Sequence, residues 1–140
     1  MDLAGLIEHV RAERHGVVAT VSPGGAPEAA FLSITATDRG ELVFDAKPDS
    51  RKVANLRADG RIAVVVGGEG GTTLQAEGVA DLPEGDELER CIAAYLDAFP
   101  QFERSVRGGG VVVVRIRLTW ARFGDHRAPG APDVSEVSLG

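Results

Sequence analysis

The segment Asp45-Ala-Lys-Pro-Asp-Ser-Arg-Lys-Val-Ala-Asn-Leu-Arg57 gathers three cations, Lys47, Arg51 and Lys52, around the start of a helix. Acids are ordinarily favoured there, because the unpaired N–H groups and the macrodipole make a helix N-terminus positive. Glu41 to Asp45 reads as a strand end, Pro48 and Asp49 as a turn, and Ser50 as an N-cap. Val53 and Leu56 continue a helix to Ala58. Two cations in its first turn cost a few tenths of a kcal/mol each unless an anion joins them. Either Arg51 and Lys52 extend into water, as most surface cations do, or a phosphate docks at this end.

No other constellation suggests catalysis. His9 falls in the first helical pattern, His15 at its end and His126 in the tail; their lack of metal-ligand spacing, together with the single Cys91, argues against a zinc or iron–sulfur site. No Gly-x-Ser-x-Gly nucleophile elbow occurs. Gly67-Gly-Glu-Gly-Gly71 lacks dinucleotide-loop spacing and precedes a strand, so it reads as a hairpin tip. Arg115 and Arg117 alternate with Val114, Ile116 and Leu118; they form a wall of the anion site or solvate a strand face. Glu77 and Asp81 read as solvent-facing or paired with arginine.

A length of 140 residues fits one domain with a real core. The net charge of −6 argues against nucleic-acid or anionic-membrane surfaces, which require a basic face. The lone Cys91 in a helical pattern reads as a buried apolar residue in a reducing compartment, hence a cytoplasmic protein. No apolar run approaches the roughly 20 residues that span a bilayer, and the N-terminal residues lack a signal-peptide core.

Leu3, Leu6, Ile7 and Val10 predict a helix over residues 2–14 that packs as a lid. Gly16–Val21 and Pro27–Ile34 read as a hairpin around Ser22-Pro-Gly-Gly25, and Glu41–Ala46 as a strand. The cationic helix then stops at a left-handed Gly60. Strands are expected at Arg61–Val66, Thr72–Asp81 and Val111–Leu118, with a helix over Glu84–Phe99. Residues 1–126 form the domain, and 127–140, rich in Pro and Gly, an extended tail. Roughly six or seven strands with short turns predict a mainly antiparallel barrel with peripheral helices. At this size a barrel fills with its own side chains, so a ligand must bind outside, in a groove that a second subunit completes.

These segments resemble the pyridoxamine 5′-phosphate oxidase-like family of flavin-binding split β-barrels. The likeness runs from Leu6 to about Asp125. It is carried by Glu41-Leu-Val-Phe-Asp45, Pro48 to Arg57, Asp59-Gly-Arg-Ile-Ala-Val-Val65, Leu74-Gln-Ala-Glu-Gly-Val-Ala-Asp81 and Trp120-Ala-Arg-Phe-Gly-Asp125. The resemblance implies a homodimer binding FMN, with Ser50, Arg51 and Lys52 on the phosphate. It also implies Asp45, Ala46 and Lys47 beside the ribityl chain, Ser33, Ile34 and Thr35 facing the ring, and Thr73 and Gln75 near the phosphate side. Trp120 either anchors structure or reaches the cofactor from the partner subunit. Ala30, Phe31, Leu32 and Ser33 stand where the oxidase carries a further Arg and Lys, which argues against pyridoxamine phosphate as substrate. The implied activity is an FMN-dependent oxidoreductase acting on a small molecule; the alternatives are an oxidoreductase using the deazaflavin F420 and a non-catalytic flavin- or heme-binding protein.

Overall fold

Helix α1 (Leu3–Glu13) begins where the Asp2 carboxylate accepts the Gly5 N–H at 2.9 Å, and ends at Arg14, whose left-handed backbone (φ 70°) turns its N–H onto the Val10 carbonyl. In this computed structural model, which describes residues 1–140, the hairpin β1 (His15–Val21) and β2 (Pro27–Ser33) follows. Next come β3 (Thr35–Ala36), β4 (Leu42–Ala46), α2 (Arg51–Ala58), β5 (Arg61–Gly67), β6 (Thr72–Asp81) and α3 (Gly85–Ala98). A 3₁₀ turn at Pro100–Phe102 leads into the short α4 (Glu103–Arg107), then β7 (Val112–Asp125) and β8 (Asp133–Glu136) close the chain.

All strand pairs are antiparallel, in the order β2-β1-β5-β6-β7-β4-β3, with β8 added beside β7. Only Ile34 separates β2 from β3, yet these strands lie at opposite ends of that order. The sheet must therefore curl until its ends meet, which makes the expected split barrel. Alternation then sorts the side chains. Val18, Thr20, Ile62, Val64, Val66, Leu74 and Ala76 turn inward with Ile34, Phe44, Val114 and Ile116, while Leu6 and Val10 of α1 plug one end. No helix of the structure is long and apolar enough to cross a membrane.

Several boundaries differ from the sequence reading. The eight strands exceed the six or seven expected because β3 is only two residues long and β8 lies in the tail segment. That segment is extended, but it is docked: Val137 is buried and its N–H reaches the Ala121 carbonyl at 2.8 Å. The expected Val111–Leu118 strand continues to Asp125 through an irregularity opposite Glu77 and Gly78. Helix α2 does not stop on a left-handed glycine. Asp59 leaves it in an extended conformation (φ −149°), and Gly60 is needed because a Cβ there would stand 2.8 Å from the Ala80 carbonyl oxygen.

Outside the barrel, α3 and α4 cover the β3–β4–β7 surface, where Val43, Cys91, Ile92, Tyr95, Phe99, Val106 and Val113 form a second core. Beside it, Arg115 neither lines an anion site nor faces water. It is 4 % exposed and donates to Asp81 at 3.0 and 2.8 Å and to Glu87 at 3.0 Å. Arg90 grips Glu41 at 2.7 and 2.9 Å and Glu87 at 3.0 and 3.1 Å. The Arg90 hydrogen bonds depress Glu41 below the ordinary carboxylate range and hold Glu87 at about 2, and the Arg115 hydrogen bonds lower Asp81 from its ordinary value. Carboxyls depressed in the folded state stabilise it fully above about pH 5 and lose that contribution as pH falls through their folded values. Arg115→Ala takes the paired donor from Asp81 and one donor from Glu87, which keep only Arg117 and Arg90, and should cost about 1–3 kcal/mol in urea unfolding at pH 7. The loss should shrink as pH approaches 3, and a pH-independent loss would count against the network.

Candidate functional site

The α2 N-terminus forms around a turn in which Ser50 N–H meets the Lys47 carbonyl at 3.0 Å, with Pro48 at the position where its fixed φ suits a turn. Ser50 then caps the helix, its Oγ accepting the Val53 N–H at 3.4 Å. The backbone N–H groups of Arg51 and Lys52 are left as the helix's free donors. Lys47 is exposed and Lys52 half-buried, and neither makes an ion pair. Arg51 and Lys52 border an open cavity of about 270 Å³ with Val18, Thr20, Glu28, Ala29 and Ala30. A hydroxyl, two free backbone donors and two cations are a donor set that suits a phosphate.

Arg51 already has an acidic partner, because it is paired with the Glu28 carboxylate of β2. Asn55, one helical turn further on the same face, donates to Glu28 at 2.8 Å and to the Thr20 hydroxyl at 3.0 Å. Asn55 is buried, so its two donors tie α2 to β1 and β2. Sequence reasoning missed Glu28, Thr20 and Asn55. The one available signal was Asn55 itself, a poor helix former between the apolar Val53 and Leu56.

The other expected residues divide into groups. Asp45 and Ala46 end β4 beside β7, directly before the phosphate-candidate turn. The buried Tyr95 hydroxyl donates to Asp45 at 2.9 Å; burial, then the adjacent carboxylate, pushes the phenol far above its ordinary pKa. Helix α3 thereby fixes the strand that delivers the cationic loop. Ser33, Ile34 and Thr35 form the crossing from β2 to β3, with Ile34 and Thr35 buried and Ser33 half-buried. Thr73 and Gln75 lie on β6, where Gln75 accepts from Arg122 at 3.0 Å. Trp120 stands on the outer side of β7, its indole N–H on Glu136 at 3.1 Å. Within one chain, no hydrogen bond joins the Gln75–Trp120 group to the α2 turn.

Outward-facing positions line up across four strands: Phe31 beside Val17, Val17 beside Val65, and Val65 beside Gln75. Phe31 is 73 % exposed, Val79 51 % and Val65 44 %. This half of the outer sheet has no helix over it, in contrast to the half beneath α3.

The sequence profile described as pyridoxamine 5′-phosphate oxidase matches residues 6–124, and the chain belongs to that family. No curated protein matches it. Among solved structures, a heme-binding protein from Mycobacterium smegmatis superposes with a TM-score of 0.77 at 23% identity, over 97% of this chain and 61% of that one. The chain thus spans less than two thirds of that protein. A conserved hypothetical protein from Mycobacterium tuberculosis gives 0.75 at 28% identity, covering 96% and 91% of the two chains. A FAD-binding protein from Mesorhizobium loti gives 0.66 at 22%, covering 86% and 91%.

Asn55→Ala leaves a buried hydroxyl and a carboxylate without their shared donor. It should destabilise the protein by about 1–3 kcal/mol, read as a lower urea midpoint at unchanged slope. An unchanged midpoint would mean that α2 is held by its apolar face alone.

Proposed function

We propose that the protein is a homodimeric, flavin-dependent oxidoreductase that binds FMN with its phosphate on Ser50, Arg51 and Lys52. The observation that carries this reading is the donor set at the α2 N-terminus, lying inside the segment by which the chain belongs to its family. Bound FMN would supply the hydride- or electron-transfer chemistry itself. The chain's own task is then to bind and orient. Ser50 and the first N–H groups hold the phosphate, Lys47 and Lys52 balance its charge, and the Asp45–Lys47 backbone runs beside the ribityl chain. At the β2–β3 crossing the half-buried Ser33 faces the ring with the buried Ile34 and Thr35 behind it, and Thr73 and Gln75 border the phosphate side.

The second subunit covers the bare sheet around Val17, Phe31, Val65 and Val79, forming the wall that a filled barrel lacks. From there Trp120 of each subunit reaches toward the cofactor of the other. A small molecule meets the free ring face as the electron donor or acceptor. The sparse acid–base inventory suits this division, since the flavin needs position and electrostatics from the protein.

Purified protein, as isolated or after incubation with FMN, should give a flavin absorption spectrum and release FMN by mass. A heme or deazaflavin spectrum would replace this cofactor assignment. Arg51→Ala and Lys52→Ala should each weaken FMN binding by about 1.5–3 kcal/mol per charge-assisted bond lost. Unchanged affinity in both would remove the phosphate site. Phe31→Asp should convert the dimer to monomer in sedimentation and lower flavin affinity with it; a dimer that persists would place the subunit contact elsewhere.

A further inference from the structure

Glu28 is an acid in the cavity that the proposed phosphate would enter. Its side chain is only 21 % exposed, whereas that of its partner Arg51 is 83 % exposed. The difference identifies which member of the pair moves. Glu28 is fixed from the other side by the buried Asn55, whose second donor is on Thr20. Arg51 has no other partner, so its long side chain swings free at little cost.

We infer that Glu28 is a built-in counter-anion that holds Arg51 until a phosphate carried on a larger ligand draws the guanidinium away. This inference rests on the proposed phosphate site. While the pair is closed, Glu28 cancels the charge of Arg51, leaving Lys47 and Lys52 as the uncompensated cations that an incoming anion meets. A tethered carboxylate competes at high effective concentration, which a free anion such as inorganic phosphate must overcome by charge alone. A flavin nucleotide brings ring and ribityl contacts as well, and those offset the exchange. Glu28 thus determines specificity: it holds the site closed to small anions while admitting a phosphate on an aromatic carrier.

Equilibrium titration of FMN and riboflavin, read by flavin fluorescence, isolates the phosphate contribution as the ratio of the riboflavin to the FMN dissociation constant. Glu28→Gln keeps the shape and the acceptor for Asn55 while removing the charge. It should raise that ratio roughly three- to tenfold, and make 10 mM-scale inorganic phosphate a visible competitor of FMN. Glu69→Gln, in the β5–β6 turn, removes the same charge elsewhere and should leave the ratio unchanged. Arg51→Ala should lower it. An unchanged ratio in Glu28→Gln, or an equal rise in Glu69→Gln, overturns the counter-anion role while a fall in Arg51→Ala keeps the phosphate site. If Arg51→Ala also leaves the ratio unchanged, the phosphate site and the inference fall together.

Discussion

The single residue Ile34 joins strands that occupy opposite ends of the sheet, and that short tether imposes the architecture. A flat sheet would hold β2 and β3 several strand spacings apart, each about 4.8 Å. Closure alone brings them within reach of one linking residue. Once the sheet is curled, alternation assigns every strand an inner face that fills the barrel and an outer face that needs another cover. α3 and α4 supply that cover over β3, β4 and β7, leaving the β2-β1-β5-β6 surface bare. The constraint that builds the core thereby creates the unpartnered face on which the proposed dimer depends.

Charge is organised with similar economy. An acidic chain has reason to pair its arginines, and Arg90 and Arg115 do so inside a network with Glu41, Asp81 and Glu87 that fastens α3 to the sheet. The α2 turn differs in kind. Lys47 and Lys52 have no acid, and Arg51 has one that is itself clamped by a buried asparagine. Such a pair is easily opened from the arginine side, which suits a binding site better than a structural clip.

Much of the architecture was legible because it rests on local rules. Ser50 announces the helix start, Pro48 the turn before it, and the apolar runs at Arg61–Val66 and Val111–Leu118 their strands. What escaped the sequence depends on distant partners. Arg115 alternates with apolar residues just as a solvent-facing arginine would, and only the arrival of Asp81 and Glu87 makes burial tolerable. Gly60 seemed a helix cap, yet its small size serves a close approach to Ala80, which no local pattern reveals. The strand β8 lacks a strong apolar run and forms because β7 offers it an edge. At the site, Ser50, Arg51 and Lys52 stood out by charge and spacing, whereas Glu28 is separated from them by a whole hairpin arm and two strands.

The most direct test is a crystal structure of the protein with FMN. The account predicts the phosphate within hydrogen-bond distance of Ser50 Oγ and the Arg51 and Lys52 N–H groups, with the Arg51 guanidinium turned from Glu28 toward it. FMN bound elsewhere, with the Arg51–Glu28 pair still closed, would contradict the account.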